Sequence, residues 1–183
     1  MTTNDITQKT VGIIAADGVE RVEVTAPRDA LARAGVDVKV LSPDGASVRG
    51  YHYVQPESEI PVDGSIAEAD AAAFDAVVVP GGLGGPDTLR TDRDAVGFVT
   101  EVARHGLVGV ICHGPWVLIE ADLLAGRTLT CVDALRSDVS NSGAHYVDDD
   151  VHVDRDADPK LVSGRNFKAA GVFAETLVAE LAA

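Results

Sequence analysis

Cys112 and His113 stand side by side where the apolar run "LVGVI" (107–111) ends and "GPWVLIEADLLAG" (114–126) begins. A thiol can attack a carbonyl carbon and an imidazole can carry a proton, so the pair offers nucleophilic chemistry. That chemistry requires a strand that bends abruptly into a helix, which presents the turn residue at the sheet edge beside the first free helical N–H groups. A cysteine there is expected to be held as thiolate by the positive helix end. The same turn aims the N–H of His113 at a developing oxyanion. Gly82, closing "DAVVVPGG" (75–82), is a second candidate donor, because glycine lets backbone approach a ligand closely. A plain strand-end core cysteine fits the local pattern as well, since free cysteine is among the most buried residue types.

The elements that would position this pair alternate along the chain. "KTVGIIAA" (9–16) reads as a buried strand, and residues 17–35 as a helix with Val22, Ala26, Ala30 and Ala34 on its stripe and Gly35 as its stop. "VDVKVLSP" (36–43) alternates like a strand. Residues 44–64 read as a meandering connection with room for a small hairpin, and "IAEADAAAF" (66–74) as a short helix. Then come the strand 75–82, a helix over 92–106, the strand 107–112 and a helix over 114–126. Repeated βα units imply an α/β fold: a mostly parallel sheet sandwiched by helices, flavodoxin-like, with a nucleophile elbow at Cys112. A flexible tail is expected over 1–8, ahead of a single domain over 9–183. Ligands of such sheets bind beyond the carboxyl ends of the strands, where "DGVERVE", "PGGLGGPD" and Cys112 all fall.

"ICHGPWVL", preceded by "VVVPGG" and "AADGVERVEVTAP", resembles the PfpI-type intracellular proteases and general stress proteins of the ThiJ/PfpI superfamily. "LLAGRTLT", "NSGAHYVDDDVHVD" and "LVSGR" extend the likeness over nearly the whole chain. The resemblance implies Cys112 as nucleophile, His113 as the histidine that follows it, and Gly82 with the His113 amide as oxyanion donors. Glu20 matches the acid of the first loop that hydrogen-bonds the thiol. Glu23 competes for that role, but the motif register favours Glu20. Asp87 stands where PfpI-type members carry a Glu that reaches the histidine of a neighbouring subunit, so a homo-oligomer with the site near its interface is expected. Val132 replaces a common aromatic residue, and "SGRNFKAAGVF" replaces a Pro- and Asp-containing stretch, both near the pocket rim in related folds.

Each residue has a plainer reading. Glu20 suits the first turn of a helix, Asp87 suits an N-cap near Thr88, and His113 suits a satisfied core histidine. Cys131 reads as a packing residue, or a redox partner if close to Cys112. Asp154, Asp156 and Asp158 have the spacing of the first EF-hand ligands, but Pro159 and Arg165 occupy the positions that need Gly and Glu, so an acidic turn is expected instead of a metal site. No zinc spacing and no phosphate loop occurs, and no cofactor is expected. The resulting reading is a cysteine-dependent hydrolase or lyase acting on a peptide or on a reactive aldehyde such as methylglyoxal and its adducts. The alternative is a non-enzymatic redox sensor or chaperone-like stress protein with an oxidisable Cys112. An amidotransferase is disfavoured, since no H-x-E motif follows near the C-terminus.

Composition bounds these readings. The chain has 183 residues, 46% hydrophobic and 24% charged, enough for one well-buried core without staples. Two cysteines give no disulfide framework, "MTTNDITQKT" carries no leader pattern, and no apolar run approaches the ~20 residues that span a bilayer, so a cytoplasmic protein is expected. The formal charge of −14, with 29 acidic against 15 basic side chains, excludes nucleic acid as an electrostatic partner. Only four of those cations are lysines, a balance that resembles proteins of salt-loving organisms. Screening mutes the self-repulsion of such a surface. Thermal melts followed by circular dichroism should therefore show an unfolding midpoint that rises with molar potassium chloride.

Overall fold

Leu107–Ile111 is a run of apolar residues because it is buried on both faces. Val108 and Val110 point into one core cluster, Leu107 and Ile111 into the other. The structure, a computed structural model, describes residues 5–156 and 158–183. Its strands are β1 (Thr10–Ile14), β2 (Val19–Glu20), β3 (Asp37–Ser42), β4 (Val48–His52), β5 (Gln55–Ile60), β6 (Gly64–Ser65), β7 (Ala76–Val79), β8 (Leu107–Ile111), β9 (Thr128–Leu129), β10 (His145–Tyr146), β11 (Val151–Asp154) and β12 (Leu161–Gly164). The helices are α1 (Arg21–Arg33), α2 (Gly84–Leu89), α3 (Arg93–Val102), α4 (Pro115–Glu120), α5 (Arg136–Asn141) and α6 (Ala170–Leu181).

A seven-stranded sheet runs β11-β12-β8-β7-β1-β3-β6, parallel except for β11. Helices α1 and α6 cover one face around Leu31, Phe173 and Leu177, and α3, α4 and α5 the other around Val99, Leu118 and Val139. The order places β1 beside both β3 and β7, so the chain switches direction there and opens a crevice at the strands' carboxyl ends. The flavodoxin-like expectation holds.

Several boundaries moved, each for a local reason. The helix expected from residue 17 starts at Arg21, because Val19 and Glu20 pair in extended conformation with Gly50 and Tyr51 of β4. The helix expected over 66–74 is a single 3-10 turn, Ala71–Ala73, capped by Asp70. The helix after Cys112 ends at Glu120, and Asp122 then takes a left-handed φ of 57°. The hairpin within 44–64 is present as antiparallel β4 and β5. Ahead of β1, Lys9 N–H donates to the Ile6 carbonyl, and Ile6 is buried in the core.

The acidic stretch near 154 is an anchor for the chain. Asp154 Oδ2 accepts from Arg127 Nε at 2.7 Å and from Thr128 N at 3.1 Å, and its Oδ1 from Asp156 N at 3.1 Å. Both side chains of the ion pair are buried, at 11% and 4% exposure. Removing one partner leaves an uncompensated buried charge, so Asp154→Ala should lose about 3 kcal/mol of stability, read as a lower urea midpoint.

Candidate active site

The bend after β8 is tight. Cys112 takes φ 61°, a left-handed conformation that a side chain adopts only under strain. Its N–H donates to the Gly164 carbonyl at 3.0 Å and its carbonyl accepts from Val132 N at 3.3 Å. Gly114 N–H returns to the Ile111 carbonyl at 2.9 Å, and Pro115 then opens α4 at a position where a missing N–H costs nothing. Only glycine fits at 114, because a Cβ would lie 2.4 Å from the Val79 carbonyl oxygen.

The loop after β7 closes over this bend. Gly82 has φ 81°, and a Cβ there would meet the Gly18 carbonyl oxygen at 2.3 Å. At Gly81 a Cβ would sit 2.5 Å from Cys112 Cβ and 2.7 Å from Glu23 Oε2. The paired glycines thus let three segments meet at one sulfur. The backbone N–H groups of Gly82 and His113 lie beside Cys112, where they favour its ionised form.

The acid at the sulfur is Glu23, and this corrects the expectation for Glu20. Glu23 is fully buried in the first turn of α1, its Oε2 accepts Gly81 N–H at 2.7 Å, and its carboxyl contacts the Cys112 side chain. Its Oε1 has no hydrogen-bond partner among the described residues. Glu20 is also buried, but it sits in β2 before the helix. Its Oε1 lies 3.1 Å from His52 Nδ1 and its Oε2 accepts Tyr53 N–H at 2.7 Å, so it holds the tip of the β4–β5 hairpin. The buried side of α1 comprises Glu23, Val24, Pro27, Ala30 and Leu31, a stripe rotated from the one read in the sequence. A carboxylate on an apolar stripe was the signal available, and the true helix start was needed to see it.

Burial pushes Glu23 up to about 8, with the charge of Glu20 adding to it against the Gly81 hydrogen bond. At neutral pH the carboxyl therefore holds its proton. Against the thiolate favoured by the helix end, burial pushes the Cys112 thiol up and an ionised Glu23 would push it further, while the Gly82 and His113 N–H groups pull the other way. His113 Nδ1 lies 3.3 Å from Cys112 Sγ, and burial lowers the imidazole's pKa, leaving it neutral and able to accept a proton. The sulfur borders a cavity of about 530 Å3 whose other walls include Glu20, Val132, Phe167 and Lys168. Tyr53, Val54 and Leu83, all strongly exposed, rim it.

Asp87 is not part of this cavity. It is in the first turn of the short helix α2 and does not cap it; its Oδ1 accepts from Arg90 Nε at 3.0 Å and from Nη2 at 2.7 Å. Cys131 is fully buried in the core cluster opposite the one that holds Cys112. Packing is its evident role.

A parallel sheet with a thiol at a strained strand-to-helix bend, backed by a buried acid, defines a class of α/β proteins. The chain belongs within it to the DJ-1/PfpI family, whose family model matches residues 9–180. It is 38% identical over 159 residues to the protein/nucleic acid deglycase 2 of Escherichia coli (strain K12), covering 86% of this chain and 88% of that one. Among solved structures, Drosophila melanogaster DJ-1beta superposes with a TM-score of 0.81 at 31% identity, covering 96% of this chain and 91% of that one. A two-domain protein from Anabaena variabilis ATCC 29413, containing DJ-1/ThiJ/PfpI-like and ferritin-like domains, superposes with a TM-score of 0.85 at 35% identity, over 94% of this chain. The chain spans about half, 48%, of that two-domain structure. The resemblance read from the sequence is thereby confirmed at the level of the family.

The raised Glu23 makes stability depend on pH. Its folded-state pKa lies above the ordinary 4.5, so the folded chain binds more protons than the unfolded one between about 4.5 and 8. Unfolding free energy should fall as pH rises through that window, by at most about 1.4 kcal/mol per unit from this group. Urea titrations across the window should show that slope reduced in Glu23→Gln relative to wild type.

Proposed function

We propose that this protein is a Cys112-dependent enzyme that acts on carbonyl adducts formed by reactive aldehydes on larger molecules, in the manner of a deglycase. The observation that carries this reading is the convergence on one sulfur of a protonated carboxyl, two backbone donors and a neutral imidazole, at the wall of a cavity of about 530 Å3. Such a volume is in the range of pockets that enclose drug-sized ligands. It exceeds what free methylglyoxal fills, and the exposed Tyr53, Val54 and Leu83 offer apolar contact to the body that carries the adduct. The name of the Escherichia coli relative supports the same substrate class.

In this reading the Cys112 thiol gives its proton to His113 Nδ1 as the sulfur bonds the carbonyl carbon. The carbonyl π pair moves to oxygen, where the Gly82 and His113 N–H groups meet it. Glu23, protonated, donates toward the sulfur while its negative charge builds. His113 then returns the proton to the oxyanion, giving a hemithioacetal. Where the attacked carbon carries the amine, the oxyanion pair instead re-forms C=O as the C–N bond breaks, His113 protonates the departing amine, and water hydrolyses the Cys112 thioester that remains. For Asp87 to serve the His113 of a neighbouring copy in a homo-oligomer, it would first have to leave Arg90.

The test is turnover of methylglyoxal, a methylglyoxal-treated amino acid or nucleotide, and a fluorogenic peptide by wild type and variants. Release of the free amine from the adduct should exceed the other activities and vanish in Cys112→Ala. His113→Asn should cost on the order of 10²-fold, and Glu23→Ala should cost more than Glu20→Ala. Peptide cleavage as the main activity would make the protein a protease. Turnover of nothing, with ready oxidation of Cys112, would make it a redox protein.

A further inference from the structure

Trp116 is the only tryptophan of the chain, and it is held from three sides. Its indole Nε1 donates to Asp138 Oδ2 of α5 at 2.9 Å. The guanidinium carbon of Arg90, at the end of α2, lies 4.9 Å from its ring centroid, and Asp87 fixes that guanidinium through two hydrogen bonds. The third contact is His113, whose ring centroid lies 5.1 Å away at an interplanar angle of 53°. Trp116 lies in the first turn of α4 and His113 just before its N-cap, and Trp116 N–H bonds the His113 carbonyl at 3.1 Å, so this turn brings the two side chains together.

His113 needs such support. It follows a strained bend, it is half-buried, and its Nδ1 faces Cys112 Sγ at 3.3 Å. A free imidazole samples several rotamers, and only some put Nδ1 on the sulfur. An aromatic neighbour that cannot itself move removes the others. Asp138 prevents the indole from flipping, and Arg90 covers its ring.

We propose that Trp116 is a positioning residue: pinned by Asp138 and by the Arg90–Asp87 pair, its ring holds the His113 imidazole with Nδ1 toward Cys112. The assignment rests on the reading of His113 as the proton acceptor of Cys112. It extends Asp87, by way of Arg90, into support of the histidine within one chain. The titratable and charged groups around the imidazole are Cys112 and Glu23 on the sulfur side, Arg90, Asp87 and Asp138 on the indole side, and Glu20 and Lys168 across the cavity.

The test uses alkylation and fluorescence, which need no substrate, so its failure is separable from failure of the proposed activity. Cys131 is fully buried, so iodoacetamide reports Cys112. In wild type the alkylation rate should inflect as His113 titrates, and His113→Asn should lack the inflection. Trp116→Ala should react about fivefold more slowly than wild type and lose the inflection, while Trp116→Phe, which keeps an aromatic ring, should recover most of both. Arg90→Gln and Asp138→Asn, changes of surface residues, should each slow the reaction about twofold. Wild-type tryptophan emission should change across the His113 titration and stay flat in His113→Asn. A wild-type rate and inflection in folded Trp116→Ala would overturn the proposal. If that variant does not fold, wild-type behaviour of both Arg90→Gln and Asp138→Asn would overturn it, as would wild-type emission that stays flat.

Discussion

The backbone of Cys112 is held left-handed at a point where the chain leaves the sheet, and every other part of the site is arranged around that bend. A non-glycine residue there costs about 1–3 kcal/mol, which the surroundings must over-determine. They do so from both sides, since Gly164 accepts the Cys112 N–H and Val132 donates to its carbonyl. Behind it stands β8, buried on both faces. In front, Gly114 and Gly81 leave no room for any side chain, so the sulfur has one place to be.

Around that sulfur the structure keeps charge low, in a protein whose formal charge is −14. Glu23 holds its proton, His113 is neutral, and burial favours the thiol. These three states suit one another. An ionised carboxyl in that place would oppose formation of a thiolate, whereas a protonated one can donate to it. The positive end of α4 favours a thiolate at Cys112, but that helix has only six residues and burial of the sulfur opposes it. A buried thiol whose proton can pass to an adjacent imidazole is a different device from a permanently ionised one, and the reactivity it offers is released only when a carbonyl carbon is in reach.

The two buried glutamates divide the work of the first loop. Glu23 belongs to the sulfur, while Glu20 ties down His52 and Tyr53, itself left-handed at φ 58°. By holding that hairpin tip, Glu20 keeps Tyr53 and Val54 at the cavity rim. Glu20 lines the same cavity as Cys112, but its hydrogen bonds go to the hairpin and not to the sulfur. Glu20 ends an extended strand and Glu23, three positions on, lies in the first turn of the helix that follows directly, so the two side chains face different partners.

The parallel sheet, the sharp bend at Cys112 and the closing glycines at 81 and 82 were legible in the sequence. Continuous apolar runs, Gly-Pro before a helix and paired glycines after a strand each express a local constraint that few conformations satisfy. The β4–β5 hairpin was legible only as a possibility within a polar connection. Which acid meets the sulfur, which core each cysteine enters, and the Trp116 cluster were decided by tertiary structure. Those outcomes depend on where a helix starts and on which distant segment packs beside it: β4 fixes the start of α1 by pairing with Val19 and Glu20, and α2 and α5 supply the partners of Trp116. Spacing along a chain carries periodicity, but contact across it is set by packing, and that is settled only when the whole sheet is assembled.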